Sequence, residues 1–359
     1  MWGKRADMVV HEEEPYNAEA PLAGLARQMI TPLDTFYVRN HGPVPELDTG
    51  RWRLVVDGIV GRRLELSLED LRRGFTEHRR MTTLQCAGNR RQGLIEVRDI
   101  PGEDPWAGGA TSTAWWTGVS LAEVLTAAEV DPEASHVAFE APDVSELAEP
   151  TQAYGSSIPL AKAMSGEALL AWNMNDEPLT PVHGAPLRVV VPGYIGARSV
   201  KWLRRISVQD DPSSNFFQST AYRVLPPEAD PESAGPGDGI SLGPVALNSE
   251  ILSPTRGQLL GSGSFTVTGY AHAGETRYVA RVDVTADDGA TWVQAELGDQ
   301  VDGAWRLWHA DVELASGADT ITARAWDSTG ACQPESARHL WNPKGYINNS
   351  WPSVKVRRA

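Results

Sequence analysis

The stretch Leu84-Gln85-Cys86-Ala87-Gly88-Asn89-Arg90-Arg91 sets one thiol among small residues, an amide and two guanidiniums. The chain has only two cysteines, so a thiol in this setting calls for a chemical reading. A thiolate is a soft ligand, suited to soft or high-valent metal centres rather than magnesium or calcium. Arg90 and Arg91 are expected to lower the pKa of Cys86 and to attract a small anion. A soft ligand beside an anion trap suits a metal centre that works on an oxyanion. Taken alone, a lone cysteine is more often a small inert hydrophobe, so the weight rests on what else the chain carries.

Several further blocks carry polar chemistry. Arg39-Asn40-His41-Gly42-Pro43-Val44-Pro45 follows Phe36-Tyr37. It could be a solvated loop, but Arg39 could also grip a tetrahedral oxyanion through two parallel hydrogen bonds. Trp106 follows Asp104-Pro105; such a tryptophan is commonly structural, yet its indole N–H can donate to an anion while its rings exclude water. His183-Gly184-Ala185-Pro186-Leu187-Arg188 and Gly196-Ala197-Arg198-Ser199-Val200-Lys201-Trp202-Leu203 place cations on either side of a Pro192-Gly193 turn at the end of an apolar strand. A point charge, a guanidinium and open backbone N–H groups make a plausible phosphate seat.

In this order, the blocks resemble the sulfite oxidase family, molybdenum enzymes in which the cysteine of the first block binds the metal directly. The resemblance runs from about Thr31 to the C-terminus. It implies a molybdenum–molybdopterin cofactor held by Tyr37, Arg39, Asn40, His41, Cys86, Asp143, His183, Arg188, Ser199 and Lys201, with Cys86 as the metal ligand. It implies a substrate pocket of Arg39, Arg91, Trp106, Tyr222 and Lys344, and oxidation of sulfite to sulfate by oxo transfer. Tyr222 falls where sulfite oxidases have an active-site tyrosine and related nitrate reductases tend to have asparagine. Lys344, in Leu340-Trp341-Asn342-Pro343-Lys344-Gly345-Tyr346, departs from the pattern. Eukaryotic sulfite oxidases place an arginine there, so the charge is kept and the planar fork lost. Neither a haem module of the cytochrome b5 type nor room for one is evident, so no haem is expected and the electrons should pass to an external acceptor such as a cytochrome or oxygen. Two alternatives stand beside this reading: a family member acting on another oxyanion such as nitrate, and a non-catalytic immunoglobulin-like binding protein.

The elements that must position these residues can be read along the chain. Trp52 to Gly58 reads as a strand. Ser67 to Arg73 reads as a short helix with a serine N-cap and Glu69-Asp70 in its first turn. Val119 to Val130, with Ser120 as cap, reads as a second helix, and Leu187 to Gly193 as a buried strand ended by a turn. Pro226 to Pro254, dense in proline and glycine, reads as an extended connection unable to sustain a helix or a central strand. Beyond it, Ser264–Tyr270, Val279–Thr285, Trp305–Leu314 and Thr320–Trp326 read as strands, with a hairpin signal at Asp287-Asp288-Gly289-Ala290-Thr291. The expected architecture is α+β: a mixed molybdopterin-binding domain at residues 1–225, the connection at 226–254, and an all-β immunoglobulin-like sandwich at 255–359. The family resemblance makes that last part a dimerisation domain, hence a homodimer.

Bulk composition sets limits. The chain has 359 residues, 41% hydrophobic and 22% charged, enough for two domains with full cores. Its formal net charge is −15, which argues against a nucleic-acid binder and requires local positive charge at any site for an anion. No apolar run approaches the roughly 20 residues that span a bilayer. The start, with His11-Glu12-Glu13-Glu14, has no apolar core of a secretory signal. The sequence as written therefore reads as cytoplasmic, or periplasmic if a signal segment was removed ahead of residue 1. Cys86 and Cys332 could pair, but nothing in the sequence brings them together.

Overall fold

The computed structural model describes every residue except Arg27 and Ala359. Strands dominate; the longest helices, Leu68–Gly74 and Leu121–Ala127, have seven residues each. The first is built as its sequence dictates. Ser67 accepts from the Asp70 N–H, the Asp70 carboxylate accepts from the Ser67 N–H, and Leu71 is the buried anchor. The second is shorter than the span from Val119 to Val130. Val119 and Ser120 instead finish the strand Thr111–Ser120, paired with Leu170 and Leu169, and Ser120 makes no side-chain cap. Ladder pairing on the strand wins over the local cap signal.

Two five-stranded sheets carry the N-terminal part. One runs Glu177–Pro178, Leu169–Met174, Thr111–Ser120, Glu77–Gln85, with Arg188–Val190 also on Leu169–Met174. The other runs Leu64–Leu66, Leu54–Gly58, Arg205–Gln209, His136–Ser145, Gln152–Pro159. Its Arg205–Gln209 and Leu54–Gly58 strands are parallel, and its other pairs antiparallel. A large apolar cluster including Leu54, Val56, Val124, Leu125, Phe139, Val189 and Ile206 lies between these elements. The expected strand Leu187–Gly193 is realised as Arg188–Val190, and the chain then turns at Gly193. Gly193 has φ +75°, and a Cβ there would come within 2.4 Å of the Glu275 backbone nitrogen, so the turn also seats the C-terminal part.

The C-terminal part is built mainly from two four-stranded antiparallel sheets, with a short parallel pair of Leu259–Leu260 and Arg357–Arg358 beside them. One orders Asn248–Ser253, Ser264–His272, Arg306–Glu313, Glu296–Leu297; the other Val293–Gln294, Val279–Thr285, Thr320–Asp327, Ser353–Lys355. Their alternating inward residues, among them Val267, Val282, Val284, Trp308, Ile321 and Ala323, form one core. The Asp287–Thr291 signal is a tight turn joining Val279–Thr285 to Val293–Gln294, with Asp288 and Gly289 both at positive φ. The span from Pro226 to Pro254 is not wholly extended connection: Asn248–Ser253 is a strand on the edge of the first sheet. Pro244 and Pro254 lie just outside it, and an edge strand needs ladder bonds on one side only. Both cysteines are free, Cys86 buried and Cys332 exposed.

Candidate active site

The strand Glu77–Gln85 delivers the chain to Cys86, and a tight loop turns it into the short helix Arg91–Ile95. The Cys86 N–H donates to Ala110 at 2.9 Å, and the Gly88 N–H points at the Cys86 sulfur at 3.4 Å. Arg90 adopts φ +65°, and this one residue sends the two neighbouring arginines in different directions. Arg90 leaves the thiol. It pairs with Glu250 at 3.0 Å and donates to Asn248 and to the Ser350 carbonyl, tying the loop to the C-terminal sheets. Arg91 stays near the sulfur, its terminal nitrogen against Gly88.

The expectation that both arginines lower the Cys86 pKa is therefore corrected. Burial pushes the thiol up; Arg91 and Arg39 pull it down, and burial wins.

Cys86 opens on a cavity that is partly open to solvent, with about 650 Å³ of free space when that open part is included. The wall brings together Tyr37, Arg39, Asn40, His41, Asp143, His183, Arg188, Ser199, Lys201 and Tyr222 from segments far apart in the chain. Arg91, Trp106 and Lys344 are not part of this wall. Trp106 is fully buried in an apolar cluster that includes Cys86, packs on His11, and has no acceptor for its indole N–H among the described residues. Lys344 is half-buried on the loop between Trp341 and Trp351, next to Gly345, whose carbonyl accepts from Arg91 at 3.2 Å.

The wall is strongly cationic. Arg188 donates to the carbonyls of His183 and Ser199 at 3.1 and 3.0 Å. Lys201 donates to the carbonyls of Arg39 and Val182 and to the Asn40 side chain. Lys4 reaches in from the N-terminus to the Phe36 carbonyl at 2.8 Å and to the His183 ring at 2.7 Å. Burial, then repulsion from Arg188, holds the Lys201 ammonium well below the usual lysine range, and burial pulls Lys4 down to about 7. Burial likewise keeps His41 and His183 neutral. Asp143 is the acidic member of the wall among the described residues; burial raises its carboxyl, and its Oδ1 has no hydrogen-bond partner among them. His41 and the Tyr222 hydroxyl share a hydrogen bond of 2.6 Å, and Tyr346 stacks on Tyr222 with ring centres 5.5 Å apart.

Sequence reasoning did not single out Lys4, Tyr154 or Tyr346. Tyr154 lines the wall, stacked on His41 and donating to the Ala197 carbonyl at 2.7 Å. No spacing signal marks Lys4 or Tyr154; Tyr346 at least lies in the Leu340–Trp351 block.

These features fit an anionic pterin cofactor carrying sulfur ligands and phosphate. Basic side chains outnumber acidic ones on this wall, where Asp143 is the one carboxylate among the described lining residues, and a free thiol faces the same space. Gly196 lines that space too, and a Cβ there would lie 2.6 Å from the Tyr37 hydroxyl. Among the described residues no group of three or more His, Cys, Asp or Glu side chains could hold a metal. A metal at Cys86 would therefore need the remaining ligands from a cofactor.

Comparison with known proteins agrees with this chemistry. The profile of the oxidoreductase molybdopterin binding domain matches residues 41–217, and that of the Mo-co oxidoreductase dimerisation domain matches residues 244–359. The mitochondrial sulfite oxidase of Homo sapiens is 41% identical over 97% of this chain and 65% of its own length. The sulfite oxidase of Arabidopsis thaliana is 36% identical over 99% of this chain and 95% of its own. The chain thus spans about two thirds of the length of the mammalian relatives it matches. A nitrate reductase of Hordeum vulgare is 37% identical over 99% of this chain and 42% of its own. Among solved structures, the sulfane dehydrogenase SoxCD from Paracoccus pantotrophus superimposes with a TM-score of 0.81 at 27% identity, covering 99% of this chain and 90% of that one. With a thiol, a cation-rich cavity and near-complete coverage by these relatives, the chain belongs to the sulfite oxidase family of molybdopterin-binding oxidoreductases.

Proposed function

We propose that this protein oxidises sulfite to sulfate and passes two electrons to an external acceptor. The observation that carries the reading is the joint placement of Cys86, Arg39 and Tyr222 on one cation-rich cavity. Cys86 would ligate the metal. Tyr37, Asn40, His41, Asp143, His183, Arg188, Ser199 and Lys201 would hold the pterin and its phosphate. When bound, the cofactor supplies two-electron oxygen-atom transfer at molybdenum, chemistry that no side chain in the wall can perform.

The chain's own groups bind and orient. Arg39 offers a buried guanidinium to the oxyanion, and Arg91, paired with Glu103, would bring a second guanidinium to it from beside Gly88. Tyr222, fixed by its bond to neutral His41, presents a hydroxyl whose proton is held firmly because burial raises its pKa. Trp106 closes the back of the Cys86 loop against water, with an indole N–H still free to donate. Lys344 would add long-range attraction from the C-terminal loop. The two C-terminal sheets fit an immunoglobulin-like sandwich that joins two copies of the chain into a homodimer, beyond a boundary near residues 226–254.

Tyr222 favours sulfite over nitrate, the second reading, which the likeness to a nitrate reductase keeps in view. Elemental analysis combined with sulfite-dependent reduction of cytochrome c, ferricyanide and oxygen tests the assignment. Molybdenum with sulfite turnover is the expected result. Nitrate reduction without sulfite turnover would select the second reading, and a molybdenum-free protein would sink both.

A further inference from the structure

Arg91 does not stand as a bare cation. Its Nη2 pairs with the Glu103 carboxylate at 2.9 Å, Nη1 donates to the Asp104 carbonyl at 2.9 Å, and Nε to the Gly345 carbonyl at 3.2 Å. Its guanidinium carbon lies 5.3 Å from the ring centre of Tyr346, which in turn stacks on Tyr222. The Arg91 side chain is 3% exposed and that of Glu103 25%, so the carboxylate sits on the solvent side of the pair. Glu103 lies in the Pro101–Pro105 loop, and the catalytic reading above leaves it without a role.

We propose that Glu103 is a built-in counter-anion that weakens the grip of the site on oxyanions, so that a doubly charged product dissociates. This rests on Arg91 serving the oxyanion pocket. An anion arriving near Arg91 meets an ion pair of no net charge instead of an uncompensated guanidinium. It must displace Glu103 or bind in its field, and either route lowers affinity. The field of Glu103 reaches the cavity: after burial, it is among the charges that hold the phenols of Tyr222 and Tyr346 in the protonated form. The overall charge of −15 already repels anions, so Glu103 adds local selectivity to a global barrier. A carboxylate on a short loop that can be outcompeted gives weak, reversible capture, which suits an enzyme whose substrate and product are both oxyanions.

The test uses the cofactor-loaded enzyme and inorganic sulfate. Calorimetric titration of sulfate into the wild type and into Glu103→Gln reads the gate without turnover; steady-state assays give KM and kcat for sulfite. Removing the charge should tighten sulfate binding about tenfold and lower the sulfite KM by a similar factor, with the change read in KM rather than kcat. Glu103→Ala, which removes charge and hydrogen bond together, should act in the same direction. Unchanged or weaker sulfate binding in Glu103→Gln overturns the proposal, because it would make Glu103 a mere support that holds Arg91 in place. A wild type that binds sulfate but does not oxidise sulfite would defeat the functional reading while leaving the sulfate comparison intact.

Discussion

In the C-terminal sheets, Asp283 has no solvent exposure and meets Arg281 at 2.6 Å and Arg324 at 3.4 Å. Asp327, equally buried, meets Arg277 at 3.2 Å and accepts from the Thr329 hydroxyl and from the Thr329 and Ala331 N–H groups. Around the cavity, Arg39, Arg188 and Lys201 on the wall, and Lys4 against His183, make no close ion pair among the described residues; Asp143 attracts Lys201 at longer range, and its Oδ1 has no hydrogen-bond partner among the described residues. Buried charge is expensive, and burial already holds the Lys4 and Lys201 ammonium groups below their usual range. The contrast teaches that the buried carboxylates Asp283 and Asp327 of the C-terminal sheets are matched by arginines as folded, while the cavity wall carries more basic than acidic side chains, a setting suited to an anionic ligand. Binding that ligand should stabilise the cavity half by mass action.

The largest expected effect breaks the cavity at its thiol. Cys86→Ser should lower sulfite turnover by more than about a hundredfold, since losing a metal ligand exceeds the usual loss from its supporting contacts. The pterin should remain bound through the cation wall, read as pterin fluorescence after denaturation. Near-normal turnover would remove Cys86 from the chemistry.

Next comes the cost of unmatched charge. Lys4 has its folded pKa lowered to about 7 from 10.5, with burial as the cause. Between these values the unfolded chain binds more protons, so stability rises with pH across that window and the penalty is full below it. The cofactor-free protein should gain on the order of 4 kcal/mol between pH 7 and 10.5 from this group, and Lys4→Met should abolish that gain. Urea unfolding at several pH values would show it; equal slopes in both proteins would refute it.

His272 sharpens the contrast from the other side. It is buried in the C-terminal sheets with no partner for either ring nitrogen among the described residues, and burial lowers its pKa to about 4. The unfolded chain protonates first, near 6.5, so stability falls as pH drops from about 6.5 to 4, by about 3 kcal/mol. His272→Leu should flatten this acid limb and leave the alkaline window of Lys4 untouched. A variant that loses stability in parallel with the wild type would show that other groups govern the acid limb.

The smallest effect concerns Lys344. Outside the cavity wall, it should act by steering, so Lys344→Met should raise the sulfite KM about two- to fivefold at low ionic strength and hardly at all at high salt. A tenfold rise that survives high salt would place its ammonium on the substrate.

Much of the framework was legible because it depends on local chemistry. The Ser67–Asp70 cap, the strands read at Ser264–Tyr270 and Val279–Thr285, and the turn at Asp288-Gly289 each depend on signals within a few residues. The strand Asn248–Ser253 was hidden because prolines on both sides mask a short edge element that only its partner, Ser264–His272, stabilises. Lys4 was hidden because its contacts lie 29 to 179 residues away.

By itself, the sequence determined which groups the chain owns and in what order: a thiol beside guanidiniums, cations around a Pro-Gly turn, and strands after a proline-rich span. Only the tertiary structure decided what those groups face. Arg90 and Arg91 are adjacent and chemically identical, yet one locks the C-terminal sheets and the other stays beside the thiol, because a single positive φ at Arg90 separates them. Whether Cys86 ends with a lowered or a raised pKa was settled the same way. Charge proximity can be guessed from spacing, but the depth of burial that outweighs it exists only once distant segments close around the thiol.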